Sequence, residues 1–401
     1  IGFPEDIFTD SYGLIGKFAA IADRTFVTLG RRVDALLGAT LHYGHPDAWR
    51  ASCVDAFGGV SRSYPVNEDI FGGIQMIFIG DLYQLPPVVA SGEKNVFESY
   101  YASPNFFDSH AFKKAGVQLV ELEKIYRQKD GKFIRLLNAI RNKTMTEDDL
   151  IQLNTRVDQN FAYNPEKFCV TLTSVNHDAE LINEQHLDKL EEKKFAFRAK
   201  ISGEFTKEYY PTQEEINVKK GAQVMLLNND LLGRWINGSI GKVVDVVKSE
   251  LTEIMVELQS GEVVEVTPHK WRVYKFGFDS ASNSITSKTI GAFTQYPLKL
   301  AWAITIHKSQ GKTFDSVVID LGRGSFAHGQ TYVALSRCRT LEGIVLKKPL
   351  EKKHVLMDWR IVKFLTQYQY QQSEAKTPLE EKIEVIKKAI ELQKKLEITY
   401  L

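Results

Sequence analysis

The chain has 401 residues, of which 43% are hydrophobic and 25% are charged, and its formal net charge is +1. This composition is typical of a globular protein with roughly two to four domains. It gives no global basic field that would by itself indicate nucleic acid. A protein that binds single strands needs only one local groove, because base stacking and a few cations supply the affinity.

Cysteines and apolar runs narrow the class of protein further. Cys53, Cys169 and Cys338 are far apart and odd in number, which favours free thiols in a reducing compartment over a disulfide or a metal site. No apolar run approaches the roughly 18 residues of a membrane span, so we expect no membrane partner. Because the chain starts at Ile1 rather than at methionine, we expect it to be a fragment of a longer protein.

The first 73 residues contain two blocks rich in turn residues, HYGHPD (42–47) and GGVSRSYPVNEDIFGG (58–73). These blocks resemble a piece of the cytosolic catalytic region of 1,3-β-glucan (callose) synthases. The resemblance implies that Glu68 and Asp69 match the acceptor-site acid pair of processive glycosyltransferases, with the aspartate as the base. An exposed acidic turn is the other interpretation of this pair.

A second resemblance starts near residue 72. Residues 75–79 (QMIFI) predict a buried strand, and GDLYQLPPV (80–88) follows it. Together with AITIHKSQG (303–311) and YVALSRCR (332–339), this string resembles the third, fifth and sixth motifs of Pif/RecD-like superfamily 1B DNA helicases. Polar groups at the carboxyl end of a strand lie where nucleotides bind in α/β sheets.

The helicase resemblance covers residues 72–375 and implies a fold and a function. The fold would be α/β, with RecA-like P-loop NTPase lobes, the first incomplete, and an inserted SH3-like β-barrel. The function would be ATP-dependent helicase or translocase activity on single-stranded DNA, with ATP and Mg²⁺ as cofactors. The protein would be a monomer in the bacterial cytoplasm or in a eukaryotic nucleus or mitochondrion, with roles in DNA repair, recombination and telomere maintenance.

The same resemblance implies candidate site residues. The residues expected at ATP are Asp81, Gln84, Arg127, Gln310, Gly311 and Arg337, of which Gln84, Arg127 and Arg337 would be catalytic. The residues expected at DNA are Trp302, Thr305, His307 and Lys308. Simpler interpretations remain for two of them: Gln84 could be a loop residue without a ligand, and Arg127 could form a surface salt bridge. Arg339 is expected to be a surface charge.

One apparent phosphate-binding loop is excluded. Gly311, Lys312 and Thr313 look like the end of G-x-x-x-x-G-K-S/T, but Ile306 stands where that pattern needs glycine. Because the loop lysine and the Asp-Glu strand that holds magnesium are missing from these residues, we expect very poor ATP hydrolysis and weak binding of single-stranded DNA. The alternatives are a non-enzymatic DNA-binding helicase remnant and a glucan synthase fragment. Residues 71–73 would join the two resemblances, either in a natural chimera or through an assembly error.

The remaining elements follow from periodicity and turn signals. Helices are expected over 105–115, over 133–139 and, after an N-cap at Thr146, over 150–153, and buried strands over 117–122 and 168–172. A helix is expected to run from Asn176 to Leu190 with His177 as a cap residue. Closely spaced short strands with turns predict a small β-barrel, in which Trp271 is either core or a base-stacking platform.

The resulting domain boundaries are as follows. Residues 73–160 would form part of the first lobe, residues 161–220 and 300–370 the second lobe, and residues 221–299 the SH3-like insert. Residues 371–377 read as a linker. Residues 378–401 resemble the start of a WYL-type module, with a simple amphipathic tail helix as the alternative.

Overall fold

The computed structural model describes residues 78–87, 89, 99–115, 117, 119–122, 125–247, 252–279, 284–322, 324–376 and 379–392. The predictions for residues 1–72, including Glu68 and Asp69, lie outside this range, as does most of the strand predicted over 75–79. No helix in the described part of the chain is both long enough and apolar enough to cross a membrane.

A four-stranded parallel sheet forms the centre of the fold. Its strands are β1 (Val170–Thr173), β12 (Ala303–Thr305), β13 (Val317–Asp320) and β14 (Ile344–Leu346), in the spatial order β12-β1-β13-β14. All four residues of β1 are buried, as expected of a strand with neighbours on both edges and side chains packed on both faces. Leu172 lies between Ile304 on one side and Ile319 on the other. The strand predicted over 168–172 is confirmed, with a later start.

Helices cover this sheet. They are α2 (Gly131–Arg141), α3 (Glu147–Asn154), α4 (Asn176–Asp188), α5 (Ile306–Ser309) and α6 (Gln330–Ser336). The N-cap prediction at Thr146 is confirmed, because its side chain accepts from the Asp149 backbone N–H while the Asp149 carboxylate accepts from that of Thr146. The prediction of His177 as a cap is wrong, because α4 has Val175 at its N-cap and no side chain caps it.

The helices predicted near 133–139 and 150–153 belong to the same hydrophobic core as the sheet. Phe133, Leu136 and Leu153 are buried in one cluster with Leu172 and Val317. Burial of α2 and α3 against the sheet therefore ties residues 131–154 to the parallel-sheet region, by which we mean β1, β12–β14 and helices α2–α6.

Antiparallel strands form most of the chain between α4 and β12. A five-stranded sheet has the order β11-β5-β6-β7-β8, and its strands are β5 (Gln223–Leu226), β6 (Ile240–Val247), β7 (Glu253–Leu258), β8 (Val263–Val266) and β11 (Leu298–Leu300). Burial alternates along β7 and β8, so one face packs inward. The short strands predicted here are confirmed, and their closure into a barrel stays a prediction.

Two smaller sheets flank this one. A long hairpin, β9 (His269–Asp279) and β10 (Ser284–Gln295), pairs through β10 with β3 (Lys200–Gly203), and β2 (Phe195–Arg198) pairs with β4 (Glu215–Val218). Trp271 packs beside Phe293 across the hairpin, with 6.0 Å between ring centroids.

The segment before α2 departs from prediction. The helix expected over 105–115 is split into a 3₁₀ turn (Phe106–Asp108) and α1 (His110–Ala115). The strand predicted over 117–122 is wrong for its described residues, since Val120 and Leu122 are 78% and 86% exposed. A strand needs neighbours for its hydrogen bonds, and here the backbone of Leu119 instead bonds through both its N–H and its carbonyl to the Tyr368 hydroxyl.

The C-terminal part is helical. Helix α7 (Trp359–Lys376) runs through most of the range predicted as a linker, 371–377, so these residues are helical as far as Lys376 and their role as a linker stays a prediction. Phe364 of α7 stacks on Phe107 at 4.4 Å between centroids and touches Phe106 and Phe112 edge-on, which holds α1 and the 3₁₀ turn against α7. Helix α8 (Leu379–Glu391) matches the predicted final helix. The strand expected after it lies outside the described residues.

Candidate functional site

The GDLYQ loop (residues 80–84) is closed by its own aspartate. Asp81 Oδ1 accepts from the Tyr83 backbone N–H at 3.0 Å, and its Oδ2 accepts from Gln84 Nε2 at 3.3 Å. The Asp81 carbonyl also accepts from the Gln84 N–H at 3.1 Å. Because an ionised carboxylate only accepts hydrogen bonds, this contact fixes the amide nitrogen of Gln84 toward Asp81 and leaves its oxygen facing outward.

Gln310, in the AITIHKSQG motif, contacts that oxygen. We call the place where the GDLYQ loop meets this motif the junction. Gln310 Nε2 donates to Gln84 Oε1 at 3.4 Å, although the two residues are 226 positions apart. Gln310 ends the short helix α5, and the following Gly311 has a φ of +75°, a conformation that favours glycine. The structure thus brings together the GDLYQ loop and the AITIHKSQG motif.

The two candidate phosphate-binding arginines meet at the end of α6. Arg337 is only 1% exposed, and its guanidinium donates to the Val333 carbonyl at 2.9 Å and to Ser336 Oγ at 2.9 Å. Arg127 Nη1 donates to the Ser336 carbonyl at 3.1 Å. Residues from distant parts of the chain therefore place two guanidinium groups around one residue. Arg339, two positions further on, forms an exposed ion pair with Asp315.

Sequence reasoning missed the residues that hold this cluster together. The Arg141 guanidinium lies 4.3 Å from the centroid of the Tyr83 ring, and its Nη2 lies 3.7 Å from Asp81 Oδ1. Burial raises the pKa of the Tyr332 phenol, and four charged groups act on it: Asp81, Arg127, Arg141 and Arg337. Tyr332 is therefore within electrostatic reach of Asp81 and of all three arginines. Only its place in the YVALSRCR string could have drawn attention to it, and Arg141 had no signal beyond the end of an amphipathic helix.

A tight turn before α6 packs directly on the GDLYQ loop. His328 accepts at Nδ1 from the Asp358 N–H (3.0 Å), so its other ring nitrogen, Nε2, donates to the Leu82 carbonyl (3.1 Å). Gly329 has a φ of +71°, and a Cβ there would lie 2.3 Å from the Tyr83 carbonyl oxygen. Only glycine fits this approach, which fixes the loop against the parallel-sheet region.

The four residues predicted to bind DNA divide into a buried pair and a pair that reaches the surface. Trp302 is 8% exposed and stacks on His186 at 5.4 Å, and Thr305 is also buried, with its hydroxyl accepting from the Lys308 N–H to begin α5. Lys308 is exposed, and His307 is half-buried. Burial lowers the pKa of the His307 ring, which is therefore neutral at pH 7. Of the four residues, only His307 and Lys308 thus reach the surface.

The chemistry of these groups suits phosphate. Guanidinium groups gather at the end of α6 and amide groups meet at Gln84 and Gln310, and planar guanidinium forks match phosphate oxygens. Within the described ranges, no group of three or more His, Cys, Asp or Glu side chains could hold a metal ion. The chemistry of these donors therefore suits the phosphates of the implied nucleotide.

Comparison with known proteins supports both resemblances. A family model described as PIF1-like helicase matches residues 49–150, and one described as 1,3-beta-glucan synthase component matches residues 1–82. The two matches overlap over residues 49–82, a range that contains the predicted joint at 71–73.

Relatives and solved structures agree with the first of these families. The ATP-dependent DNA helicase PIF1 of Xenopus laevis is 32% identical over 336 residues, which are 82% of this chain and 49% of that protein. The structure of Bacteroides Pif1 bound to ssDNA is similar with a TM-score of 0.62 and 34% identity, covering 82% of this chain and 72% of that one. Pif1 from Bacteroides in complex with ADP-AlF3 and ssDNA is also similar, with a TM-score of 0.62, 34% identity and coverage of 81% and 72%.

These similarities confirm the predicted helicase resemblance and the α/β fold. The chain spans less than half the length of the first curated relatives that it matches.

Proposed function

This chain belongs to the PIF1-like helicase family, and on that premise we propose that it forms part of an ATP-driven motor on single-stranded DNA. The observation that carries the proposal is the junction itself. Gln84 meets Gln310, and Arg127 and Arg337 both bond to Ser336, so residues from separate motifs are brought together in two pairs. Phosphoryl transfer depends on such positioned cations and donors far more than on covalent chemistry.

Each polar residue has a proposed role at the nucleotide. Arg127 and Arg337 stabilise charge on the transferred phosphoryl group, which ATP with Mg²⁺ supplies when bound. Gln84 is already oriented by Asp81, so its carbonyl oxygen is the end that faces Gln310. Gly311, with its positive φ, lets the backbone approach a phosphate.

Helix α5 links nucleotide and DNA in this proposal. Lys308 and His307 lie on α5, and Gln310 ends it, so a shift of Gln310 moves the two DNA-facing residues with it. Thr305 caps the helix, and Trp302 is buried just before β12, the strand that leads into the helix, so both are proposed to position the DNA contacts. A relative with ADP-AlF3 and ssDNA bound together supports a site that serves both ligands.

The domain boundaries are part of the same proposal. We assign residues 161–220 and 300–370 to a RecA-like second lobe, which the parallel sheet supports, and residues 73–160 to part of the first lobe. The antiparallel sheet of β5–β8 and β11 supports an SH3-like insert over 221–299. The WYL-type start at 378–401 stays a prediction.

Slow turnover is expected of these 401 residues. These residues contain no G-x-x-x-x-G-K-S/T string. In the nearest candidate, which ends in Gly311-Lys312-Thr313, Ile306 stands where the first glycine is needed. We therefore expect binding of single-stranded DNA with ATP hydrolysis far below the usual range for enzymes of about 1–1,000 per second.

Fluorescence anisotropy with a labelled oligothymidine strand tests the proposal. Lys308→Ala should weaken binding and lower the slope of log affinity against log salt by about one, because one phosphate contact is lost. Lys387→Ala, which removes an exposed lysine from α8, is the matched control and should change neither value. Addition of ADP with aluminium fluoride should change the affinity of the unmodified chain, and Gln84→Ala should remove that response.

Two outcomes would contradict the proposal in different ways. DNA affinity that ignores the nucleotide would favour a non-enzymatic DNA-binding helicase remnant. ATP hydrolysis at ordinary helicase rates, stimulated by DNA, would overturn the expected slow turnover.

The match of residues 1–82 to the glucan synthase model favours one second candidate, a sugar-nucleotide site. Calorimetric titration with a sugar nucleotide should then give a signal that Asp69→Ala abolishes. No signal from the unmodified chain would eliminate this candidate.

A further inference from the structure

An aromatic contact to DNA is missing from the surface where the sequence predicts it. Single-strand binders hold bases on aromatic side chains, and Trp302 was the aromatic predicted at the DNA. Its ring is buried between His186 and the core of the antiparallel region, by which we mean strands β2–β11. A base therefore cannot stack on this ring unless that part of the chain unfolds.

Phe326 presents the exposed ring in this neighbourhood. It is 60% exposed, and its ring lies nearly parallel to that of His307, with 15° between the planes and 6.2 Å between the centroids. His307 directly precedes Lys308, the exposed cation of α5. A large apolar ring, a neutral imidazole and a lysine are therefore grouped at one place.

The ring is held by its surroundings. The Phe326 backbone N–H donates to Gln330 Oε1 at 2.9 Å, and Gln330 is fully buried at the start of α6. The neighbouring Ser325 hydroxyl bonds to that of Thr331 at 2.7 Å. Because two successive residues are tied to α6, the segment presents Phe326 in a defined direction without the ordering cost of a free loop.

We propose that Phe326 is the base-stacking platform for single-stranded DNA, with His307 parallel to it and Lys308 contacting the adjacent phosphate. The inference rests on the proposed function and names the surface that receives the bases. Every nucleobase has a flat π face, so a phenyl ring binds all four without sequence preference, as a translocating motor requires. The parallel imidazole extends the stack and, being neutral, adds no charge that would favour one base.

Strands with and without bases separate stacking from phosphate contact. Anisotropy is measured with an oligothymidine strand and with an abasic strand of the same length, which keeps all its phosphates. Phe326→Ala should weaken binding to oligothymidine about tenfold, a loss within the range for one stacked base. It should leave binding to the abasic strand unchanged.

Conservative variants and a matched control test the chemistry of the ring. Phe326→Trp should restore oligothymidine affinity, whereas Phe326→Leu should behave like Phe326→Ala, because leucine is apolar but has no π face. Tyr209→Ala removes a ring that is 67% exposed in the antiparallel region and should have no effect on either strand. Circular dichroism of each variant checks that the fold is retained.

Photochemical cross-linking gives a readout that needs no substitution at Phe326. A strand that carries 5-iodouracil cross-links under near-ultraviolet light to aromatic rings stacked on the iodinated base, and mass spectrometry of the digested product locates the link. We expect it at Phe326.

The outcomes distinguish this inference from the function on which it rests. If the unmodified chain binds neither strand, the proposed function fails. If it binds oligothymidine and Phe326→Ala binds equally well, or if cross-links form elsewhere, the DNA-binding function stands and the stacking platform is overturned. Equal loss of affinity for both strands would also overturn it, because a stacking role cannot affect an abasic strand.

Discussion

The parallel-sheet region and the segment of residues 78–122 carry motifs of the same family but differ in how they are built. In the first, β1 lies between two strands, and its side chains join a core to which helices α2, α3 and α6 contribute. In the second, the described residues form no strand, and Val120 and Leu122 point into solvent. Strand-forming residues make a strand only where neighbouring strands accept their hydrogen bonds.

Motif strings from the two regions are nevertheless in contact with each other. The GDLYQ loop keeps its position because His328, Gly329 and Gln310 of the parallel-sheet region contact it directly. Phe364 and Tyr368 of α7 hold the rest of the segment. Among the described residues, a few side chains from distant parts of the chain therefore hold the GDLYQ loop.

The largest expected loss of stability tests the difference in burial between β1 and residues 119–122. Leu172→Ala removes a fully buried side chain from β1 and should lower the free energy of unfolding by about 3 kcal/mol, through lost transfer energy and a cavity. Leu122→Ala, at an 86% exposed position, should change it by less than about 0.5 kcal/mol. Urea denaturation followed by circular dichroism measures both. A large loss from Leu122→Ala would show that the segment is packed in solution.

Arg337 and Arg339, two positions apart in the YVALSRCR motif, test the same difference between a buried and an exposed side chain. Arg337→Ala removes a buried guanidinium that donates to the Val333 carbonyl and to Ser336 Oγ, and it should cost about 2 kcal/mol. Arg339→Ala breaks only an exposed pair with Asp315 and should cost less than about 0.5 kcal/mol. Similar losses from both variants would contradict the buried role of Arg337 in holding the end of α6.

The sequence predicted the parallel-sheet region better than the segment before it. Periodicity and capping signals located β1, α2, α3 and the Thr146 cap, because these elements depend on local patterns that a packed core then reinforces. The same signals failed at 117–122, where the outcome depends on neighbouring strands rather than on the residues themselves.

Site residues divided in the same way. Motif strings located Gln84 and Gln310, which the structure brings into contact. No string indicated that Trp302 would be buried or that Arg141 would contact the GDLYQ loop, because burial and contacts between distant segments arise from packing that no local pattern encodes.

The capping box of α3 should contribute less to the free energy of unfolding than Leu172 or Arg337 does, but more than an exposed residue. Thr146→Ala should cost about 1 kcal/mol and Thr146→Ser clearly less, because serine keeps the accepting hydroxyl. The backbone N–H of Thr146 and, secondarily, Arg135 hold the pKa of the Asp149 carboxyl below its usual value.

The lowered pKa of the Asp149 carboxyl determines in which direction stability changes with pH. A carboxyl whose pKa is lower in the folded state contributes stability that is present above the ordinary carboxyl pKa and is lost as the pH falls through the folded-state pKa. Urea denaturation between pH 6 and about pH 2 should therefore show a smaller loss of stability on acidification in Asp149→Asn than in the unmodified chain. An equal loss in both would show that other carboxyls account for the acid sensitivity.

The smallest expected effect is local and concerns how the GDLYQ loop is held. Arg141 neutralises Asp81 and lies over the Tyr83 ring, and Asp81 in turn accepts from the Tyr83 N–H. Without the guanidinium, the carboxylate loses its cation and the ring its partner. Arg141→Gln should therefore speed hydrogen exchange at the Tyr83 amide about fivefold while global stability changes little.

Arg141→Lys separates charge from shape in this contact. Lysine keeps the cation near Asp81 but cannot stack its flat face on the ring, so an intermediate exchange rate is expected. Arg198→Ala, at an exposed pair with Glu214, is the matched control and should leave Tyr83 unaffected. If Arg141→Gln lowers global stability without changing exchange at Tyr83, then Arg141 supports α2 rather than the loop. In that case the contacts of His328, Gly329 and Gln310 would hold the GDLYQ loop in place without a contribution from Arg141.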